Sequence, residues 1–276
     1  MHLLSLFATI AAVHAEAPAP THAVVVDVYD GDTLTLNNGD KVRLRGVNTP
    51  ELRPAEAYGI EAREAAKNLV LQREVILTYG EVKRDGYGRL LASVKLKDGT
   101  DLATHLLELG LGHLFLIPPE ELDVTTLRNA QQIAKAGGLG IWSNAREESV
   151  LRITSFHANG DGDDNRNVNG EYLRVCNISN KPVELNGYTI RDISGRSWTL
   201  PAMIVPVGHT FKLHSGTNPD RYSGEAHQTD PSRQLEVYLG ESRQIWDNTR
   251  DHATIYDRHN NLVDERHHEP KNPPRN

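Results

Sequence analysis

The sequence predicts a mainly β protein in two parts: a small barrel with inserted helices, followed by a β-sandwich. Three observations predict it. Between Val24 and Glu51, apolar residues alternate with polar ones in short runs separated by Asn/Gly/Asp clusters, the pattern of strands joined by tight turns. From Ile60 to Leu71 the spacing changes to that of a helix, with Ala62, Ala65, Ala66, Leu69 and Val70 on one side. Past Glu148 no helical pattern recurs, and short alternating runs follow one another between Gly-containing turns.

In chain order, Val24–Val28 and Thr33–Leu36 read as strands around Asp30-Gly31-Asp32. Asn37-Asn38-Gly39-Asp40 then turns the chain into a third strand at Val42–Arg45. After the Ile60–Leu71 helix, Val75–Leu77 and Leu90–Leu96 read as strands on either side of the polar turn Lys83–Arg89. Thr100 or Asp101 caps a helix through Leu102, Leu106 and Leu107 that Gly110 stops. A third helix is predicted across Leu122–Ala136, ended by Gly137-Gly138. The polar stretch around Trp142–Glu148 separates the two parts. In the second part, strands are predicted at Leu151–Ile153, Tyr172–Val175, Tyr188–Ile190, Ser197–Leu200, Thr210–Leu213, Leu235–Leu239 and Ala253–Tyr256. The resulting boundaries are residues 23–146 for the barrel, 149–266 for the sandwich and 267–276 for a Pro/Asn-rich, disordered tail.

The length of 276 residues suits two domains, and 38% hydrophobic with 24% charged residues is an ordinary globular composition. The net charge is −7, with acidic residues in excess in both halves. That excludes a large basic footprint for tight, non-specific nucleic-acid binding, and leaves room for a small cationic cleft. The apolar run Leu3–Val13 is too short to span a bilayer. With the small-residue site Val13-His14-Ala15 it reads as a signal peptide over 1–15 and a linker over 16–22, although no Lys or Arg precedes it. Secretion is the expectation. A single cysteine, Cys176, excludes an internal disulfide, and its strand-like surroundings make it a buried structural thiol.

The chemistry concentrates in the first half. Asp30 and Asp32 flank one turn, Arg43 lies on the next strand, and Asn48-Thr49-Pro50-Glu51 follows it. Asp85-Gly86-Tyr87-Gly88-Arg89 forms a later hairpin. Carboxylates suit a hard cation and guanidinium groups suit phosphate oxygens, a combination that serves phosphodiester cleavage. In the second half, Asp161, Asp163 and Asp164 read first as a solvated loop and second as a calcium loop without the terminal Glu of an EF-hand. His259-Asn260-Asn261 and His267-His268 lack a second ligand set.

In these four motifs the chain resembles the staphylococcal nuclease (thermonuclease) family, over about Ala23–Trp142. The resemblance implies an OB-fold barrel and calcium-dependent cleavage of DNA and RNA that leaves 3′-phosphate ends. It implies phosphate contacts from Arg43 and Arg89, a general base at Glu51, and a phosphate or turn-shaping role for Tyr87. It implies metal ligation by Asp32 and the Thr49 carbonyl, with Asp30 in the outer shell. Asn48 stands where the family carries aspartate, so one ligand charge is lost and an ion other than calcium becomes an option. The positions where relatives can place tyrosines near the base align with Leu116 and Pro118, with Phe115 adjacent. Asn169–Tyr172, Asn177-Ile178-Ser179, Leu185–Tyr188, Trp246-Asp247-Asn248 and Leu262-Val263-Asp264 resemble a lamin-tail domain, which implies an immunoglobulin-like sandwich able to hold a surface or polymer partner. The rival expectation is a barrel that binds nucleic acid or protein without cutting. Retention of Arg43, Glu51 and Arg89 argues against it.

Overall fold

The computed structural model describes residues 18–53, 55–117, 122–143, 150–158, 167–219, 235–247 and 251–268. The signal-peptide reading, Pro118, Asn159-Gly160, the Asp161–Asp164 loop and residues 269–276 lie outside them.

The first part contains β1 (His22–Val28), β2 (Thr33–Leu36), β3 (Lys41–Leu44), β4 (Gly46–Asn48), α1 (Gly59–Val70), β5 (Glu74–Arg84), β6 (Leu90–Lys95), α2 (Leu102–Glu108), β7 (His113–Phe115) and α3 (Thr125–Ala136). Five strands close into a barrel in the order β1-β2-β3-β6-β5. All its neighbours run antiparallel except β3 and β6. Inward residues such as Val25, Leu34, Val42, Leu90 and Val94 form its core, as period-2 alternation requires. In α1 the buried residues Ala62, Ala66 and Val70 are spaced four apart, so one narrow face packs on the barrel. Asp101 caps α2, its side chain accepting from Thr104 N at 2.8 Å. The third helix begins at Thr125, three residues after its predicted start.

One strand pairing was not legible in the sequence. β4 and β7 are only three residues each, too short to show alternation, and pair antiparallel beside the barrel with Asn48 opposite His113.

The second part contains β8 (Leu151–His157), β9 (Tyr172–Asn177), β10 (Val183–Glu184), β11 (Thr189–Arg191), β12 (Ser197–Thr199), β13 (Ile204–Val205), β14 (Thr210–His214), β15 (Leu235–Tyr238), β16 (Asp251–Tyr256) and β17 (Leu262–His268). One sheet has the order β15-β14-β9-β8 and the other β12-β11-β16-β17, with β10-β13 as a small separate pair. Leu173, Val175, Phe211, Leu213, Ile190, Ile255 and Trp246 fill the space between the sheets. This is the immunoglobulin-like sandwich. β17 extends through His268, beyond the predicted tail boundary at 267. Its alternating residues are polar, and Asp264 Oδ2 accepts from Ile153 N at 2.6 Å, so hydrophobic patterning could not reveal the strand's extent.

The two parts share an interface. Ala134, Trp142, Cys176 and Ile178 form a third buried cluster, against which Phe115 and Ile141 pack. Leu116 N donates to Gly208 O at 2.8 Å and Thr210 N donates to Leu116 O at 3.1 Å. Gly208 has φ +74, and a Cβ there would meet Leu114 at 2.6 Å, so only glycine permits this approach. Burial pushes the Cys176 thiol pKa far upward, in keeping with an inert structural role.

Candidate active site

The β1–β2 turn brings Asp30 and Asp32 against the segment after β4. Asp32 N donates to Asp30 Oδ1 at 3.1 Å, which makes the turn an Asx type. Gly31 is required by proximity: a Cβ there would lie 2.7 Å from Thr49 Cγ2 and 2.9 Å from Ala62 Cβ. That closeness lets Asp32 Oδ2 accept from both Thr49 N (2.8 Å) and Thr49 Oγ1 (3.1 Å). Its Oδ1 receives Thr33 Oγ1 at 3.2 Å and lies 3.1 Å from Arg43 Nε.

Arg43 reaches across the same space. Its Nη1 donates to the carbonyls of Leu44 and Val47, each at 2.7 Å, and its Nη2 donates to Asn48 Oδ1 at 2.9 Å. With the Asp32 contact, this holds the guanidinium plane rigidly and leaves one of its five N–H groups for an incoming oxygen. Arg45 is buried, with its guanidinium against Gly80, where a Cβ would lie 2.6 Å from Nη2, and it lines the same space as Arg43. The strand itself ends at Leu44.

Glu51 lies in the loop before α1. Its backbone N donates to Glu56 Oε2 at 3.1 Å, and Glu56 N donates to Glu51 O at 2.9 Å. Glu56 is held in turn by the sandwich: its Oε1 lies 2.9 Å from Arg266 Nη2 and its Oε2 lies 3.7 Å from Arg152 Nη2. The opposite rim is the β5–β6 hairpin. Asp85 Oδ1 accepts from Tyr87 N and Arg89 N, both at 3.0 Å, and its Oδ2 accepts from Arg89 Nε at 2.7 Å. Arg89 Nη1 points back to Thr33 Oγ1 at 3.5 Å. Tyr87 is 78% exposed, and the Arg89 guanidinium lies 5.6 Å from its ring centroid.

These groups surround one cleft of about 770 Å³. Asp32, Arg43, Asn48, Glu51, Tyr87 and Arg89 all line it. Thr49 is buried behind Asp32. The electrostatics are unusual. Burial, then the Asp32, Asp30 and Glu56 charges, push the Glu51 pKa up to about 7, although Arg43 opposes them. Burial and then Asp32 push Asp30 up to about 6. Both carboxyls are held above their ordinary range by burial first and by neighbouring carboxylates second, the pattern of a functional-site candidate.

Among the described residues no group of three or more His, Cys, Asp or Glu side chains is arranged to hold a metal ion, His267 and His268 included. The oxygen donors of this stretch are the Asp30 and Asp32 carboxylates, the Thr49 carbonyl, which accepts from Asn48 Nδ2 at 3.3 Å, and the Asn48 amide, which accepts from Arg43 Nη2. That donor set fits a hard divalent cation, and the raised carboxyl pKa values fit a missing charge there. Such an ion would compete with the hydrogen bonds already made to Asp32 and Asn48.

Other cleft residues were not found in the sequence or were misplaced. Phe115 and Ile117, not Leu116, line the cleft. Alternation from β7 turns Leu116 toward the sandwich, where it is 4% exposed. The Arg43 guanidinium sits 5.6 Å from the Phe115 ring. Thr154, Ser155, Tyr172 and Arg174 of the sandwich line the same cleft. No local signal marks them, since their partners lie in the other half.

A family model described as staphylococcal nuclease homologue matches residues 41–144, and one described as Lamin Tail Domain matches residues 144–269. A thermonuclease of Staphylococcus intermedius is 33% identical over 126 residues, covering 43% of this chain and 74% of the relative. A thermonuclease of Staphylococcus hyicus is 33% identical over 128 residues, covering 44% and 75%. An uncharacterized endonuclease of Escherichia coli is 31% identical over 128 residues, covering 46% and 80%. The two matches meet where the barrel gives way to the sandwich, and the relatives cover the half that holds the cleft; this chain belongs to the staphylococcal nuclease homologue family and carries a lamin-tail domain after its nuclease-type barrel.

Proposed function

We propose that the protein is a secreted, divalent-metal-dependent endonuclease that hydrolyses phosphodiester bonds in DNA and RNA and leaves 3′-phosphate ends. The observation that carries this reading is the convergence of Arg43, Arg89 and the high-pKa Glu51 on one cleft, in a chain related to thermonucleases. Export is supported by the Leu3–Val13 run.

Arg43, fixed by Asp32 and two backbone carbonyls, presents its remaining N–H to a non-bridging phosphate oxygen. Arg89, braced by Asp85, approaches from the other rim and meets the charge that grows in the transition state. Glu51, poised near neutrality, takes the proton of the attacking water. Tyr87 offers its hydroxyl to a phosphate from the exposed hairpin. Asp32, the Thr49 carbonyl and Asn48, with Asp30 beside them, are the residues that would hold calcium or a similar ion. Bound there, the ion supplies Lewis-acid charge to a phosphate oxygen and relieves the carboxylate repulsion.

A non-catalytic strand-binding module is the alternative favoured by one observation, the four hydrogen-bond donors that already fill Asp32. One experiment separates the two: plasmid nicking and RNA degradation with calcium, then with excess EGTA. Metal-dependent cleavage of both polymers supports the nuclease, whereas binding without cleavage at any calcium concentration overturns it.

A further inference from the structure

β8 is the edge strand of its sheet, and β17 satisfies that edge with side chains. Asp264 and Arg266 lie two apart on β17, so alternation turns them to the same face. Asp264 Oδ2 accepts from Ile153 N at 2.6 Å, and Arg266 Nη1 donates to Ile153 O at 2.9 Å. Both polar groups of the Ile153 backbone are therefore taken up by β17, and the Arg266 guanidinium is fixed in place.

The same guanidinium reaches out of the sandwich. Its Nη2 lies 2.9 Å from Glu56 Oε1 on the barrel, and Arg152 Nη2, from β8, lies 3.7 Å from Oε2. The Arg266 and Glu56 side chains are only 16% and 21% exposed, so salt and water screen the pair less than one on the open surface. Glu56 in turn clasps Glu51. Its Oε2 accepts from Glu51 N at 3.1 Å, and its own N donates to Glu51 O at 2.9 Å. Gly59 packs against the same carbonyl, since a Cβ there would lie 2.8 Å from Glu51 O. Glu56 bears the same charge as Glu51. Without a cation to hold it, repulsion would favour rotation of its side chain into solvent, and Glu51 N would lose its acceptor.

We propose that Arg266 is a positioning residue of the nuclease: through Glu56 it fixes the backbone of Glu51 and keeps that carboxylate aimed into the cleft, which makes the sandwich a working part of the active site. The inference rests on the nuclease reading above and extends it to the second domain. A group that takes a proton from an attacking water must be held in place, because a displacement of about 1 Å can cost 10²-fold in rate. Glu51 lines the cleft, whereas Arg266 and Glu56 are not among its lining residues. Loss of Arg266 should therefore change turnover and spare substrate affinity.

The test uses the full chain and a short single-stranded DNA. Arg266→Gln should lower kcat about tenfold and leave KM within about twofold. Arg266→Lys keeps a cation beside Glu56 and should recover most of the loss. Asp192→Asn removes a sandwich acid that bonds Ser194 and Arg196 instead, and should keep the wild-type kcat, which separates the brace from general damage to the sandwich. Amide exchange read by NMR gives a second measure. Arg266→Gln should speed exchange at Glu51 N about tenfold and leave Val25 N, which donates to Arg73 O within the barrel, unchanged. If Arg266→Gln does not fold, Glu56→Gln breaks the same ion pair from the barrel side and is judged by the same two readouts. A wild-type kcat, a loss that appears in KM, or an unchanged exchange rate at Glu51 would overturn the brace while leaving the nuclease standing. Failure of the wild-type chain to cut DNA or RNA would overturn the nuclease reading and this inference with it.

Discussion

The barrel and the sandwich bury the same kinds of acid in opposite circumstances. In the sandwich three buried carboxylates, Asp192, Asp251 and Glu171, have donors from neighbouring turns. Asp192 accepts from Ser194 Oγ, Arg196 N and Arg196 Nε. Burial alone would raise its pKa, but those bonds outweigh it and hold the group below the ordinary range. Asp251 likewise receives Ile193 N and Asp247 N, and Glu171 receives Ile245 N. These acids tie turns together. In the barrel, Asp30 and Glu51 are held high by burial first and then by the Asp32 charge beside them. A carboxylate given private donors stabilises a loop. Carboxylates made to share one space store an electrostatic tension that a cation and a phosphate can release.

The largest expected effect tests the barrel side. Arg43→Lys keeps the charge but cannot span Asp32, two carbonyls and Asn48 together, so kcat should fall on the order of 10²-fold. Single-turnover cleavage of DNA measures it, and a near-native rate would remove Arg43 from the phosphate.

Next comes the contrast in proton linkage. Asp264 is pushed up to about 6 by burial, against an ordinary value of 3.8. An acid with a raised folded-state pKa contributes most below its unfolded pKa and loses that contribution as pH rises through about 6. Wild-type stability should therefore drop relative to Asp264→Asn between pH 4 and 7, by about 1–3 kcal/mol. Asp192 should behave in reverse: its depressed pKa means that stability relative to Asp192→Asn is present at neutral pH and lost on acidification. Denaturant titrations across pH check both, and parallel slopes for the two variants would erase the distinction drawn between the groups.

The smallest effect joins the two regions. Glu56→Gln and Arg266→Gln should each lower kcat about tenfold, and the double variant should be no worse than either single one, because both act through the Glu51 loop. KM should change little. Additive losses would show two separate roles.

Much of this was legible in the sequence. The barrel strands, all three helices and Asp32, Arg43, Glu51 and Arg89 could be read because alternation, helical spacing and short motifs are local. What stayed hidden was non-local or too short. β4 and β7 span three residues each. Glu56 carries no local signal because its partner Arg266 is on β17. Tyr172 and Arg174 looked like ordinary strand residues until the interface placed them in the cleft. Asn48 was read as a replacement metal ligand, and in the structure its Oδ1 accepts from Arg43 Nη2, a contact that no local pattern announces.

Chain order gives the Arg266–Glu56 contact a meaning in time. The ribosome delivers Arg43, Glu51 and Arg89 early, and the barrel can close before the sandwich is made. Arg266 arrives only with β17, and it meets Glu56 only after that strand has paired with β16 and packed beside β8. During synthesis the loop bearing Glu51 therefore lacks the counter-charge that steadies it. The barrel can thus hold Arg43, Glu51 and Arg89 around its cleft before Arg266 arrives to brace the loop that bears Glu51.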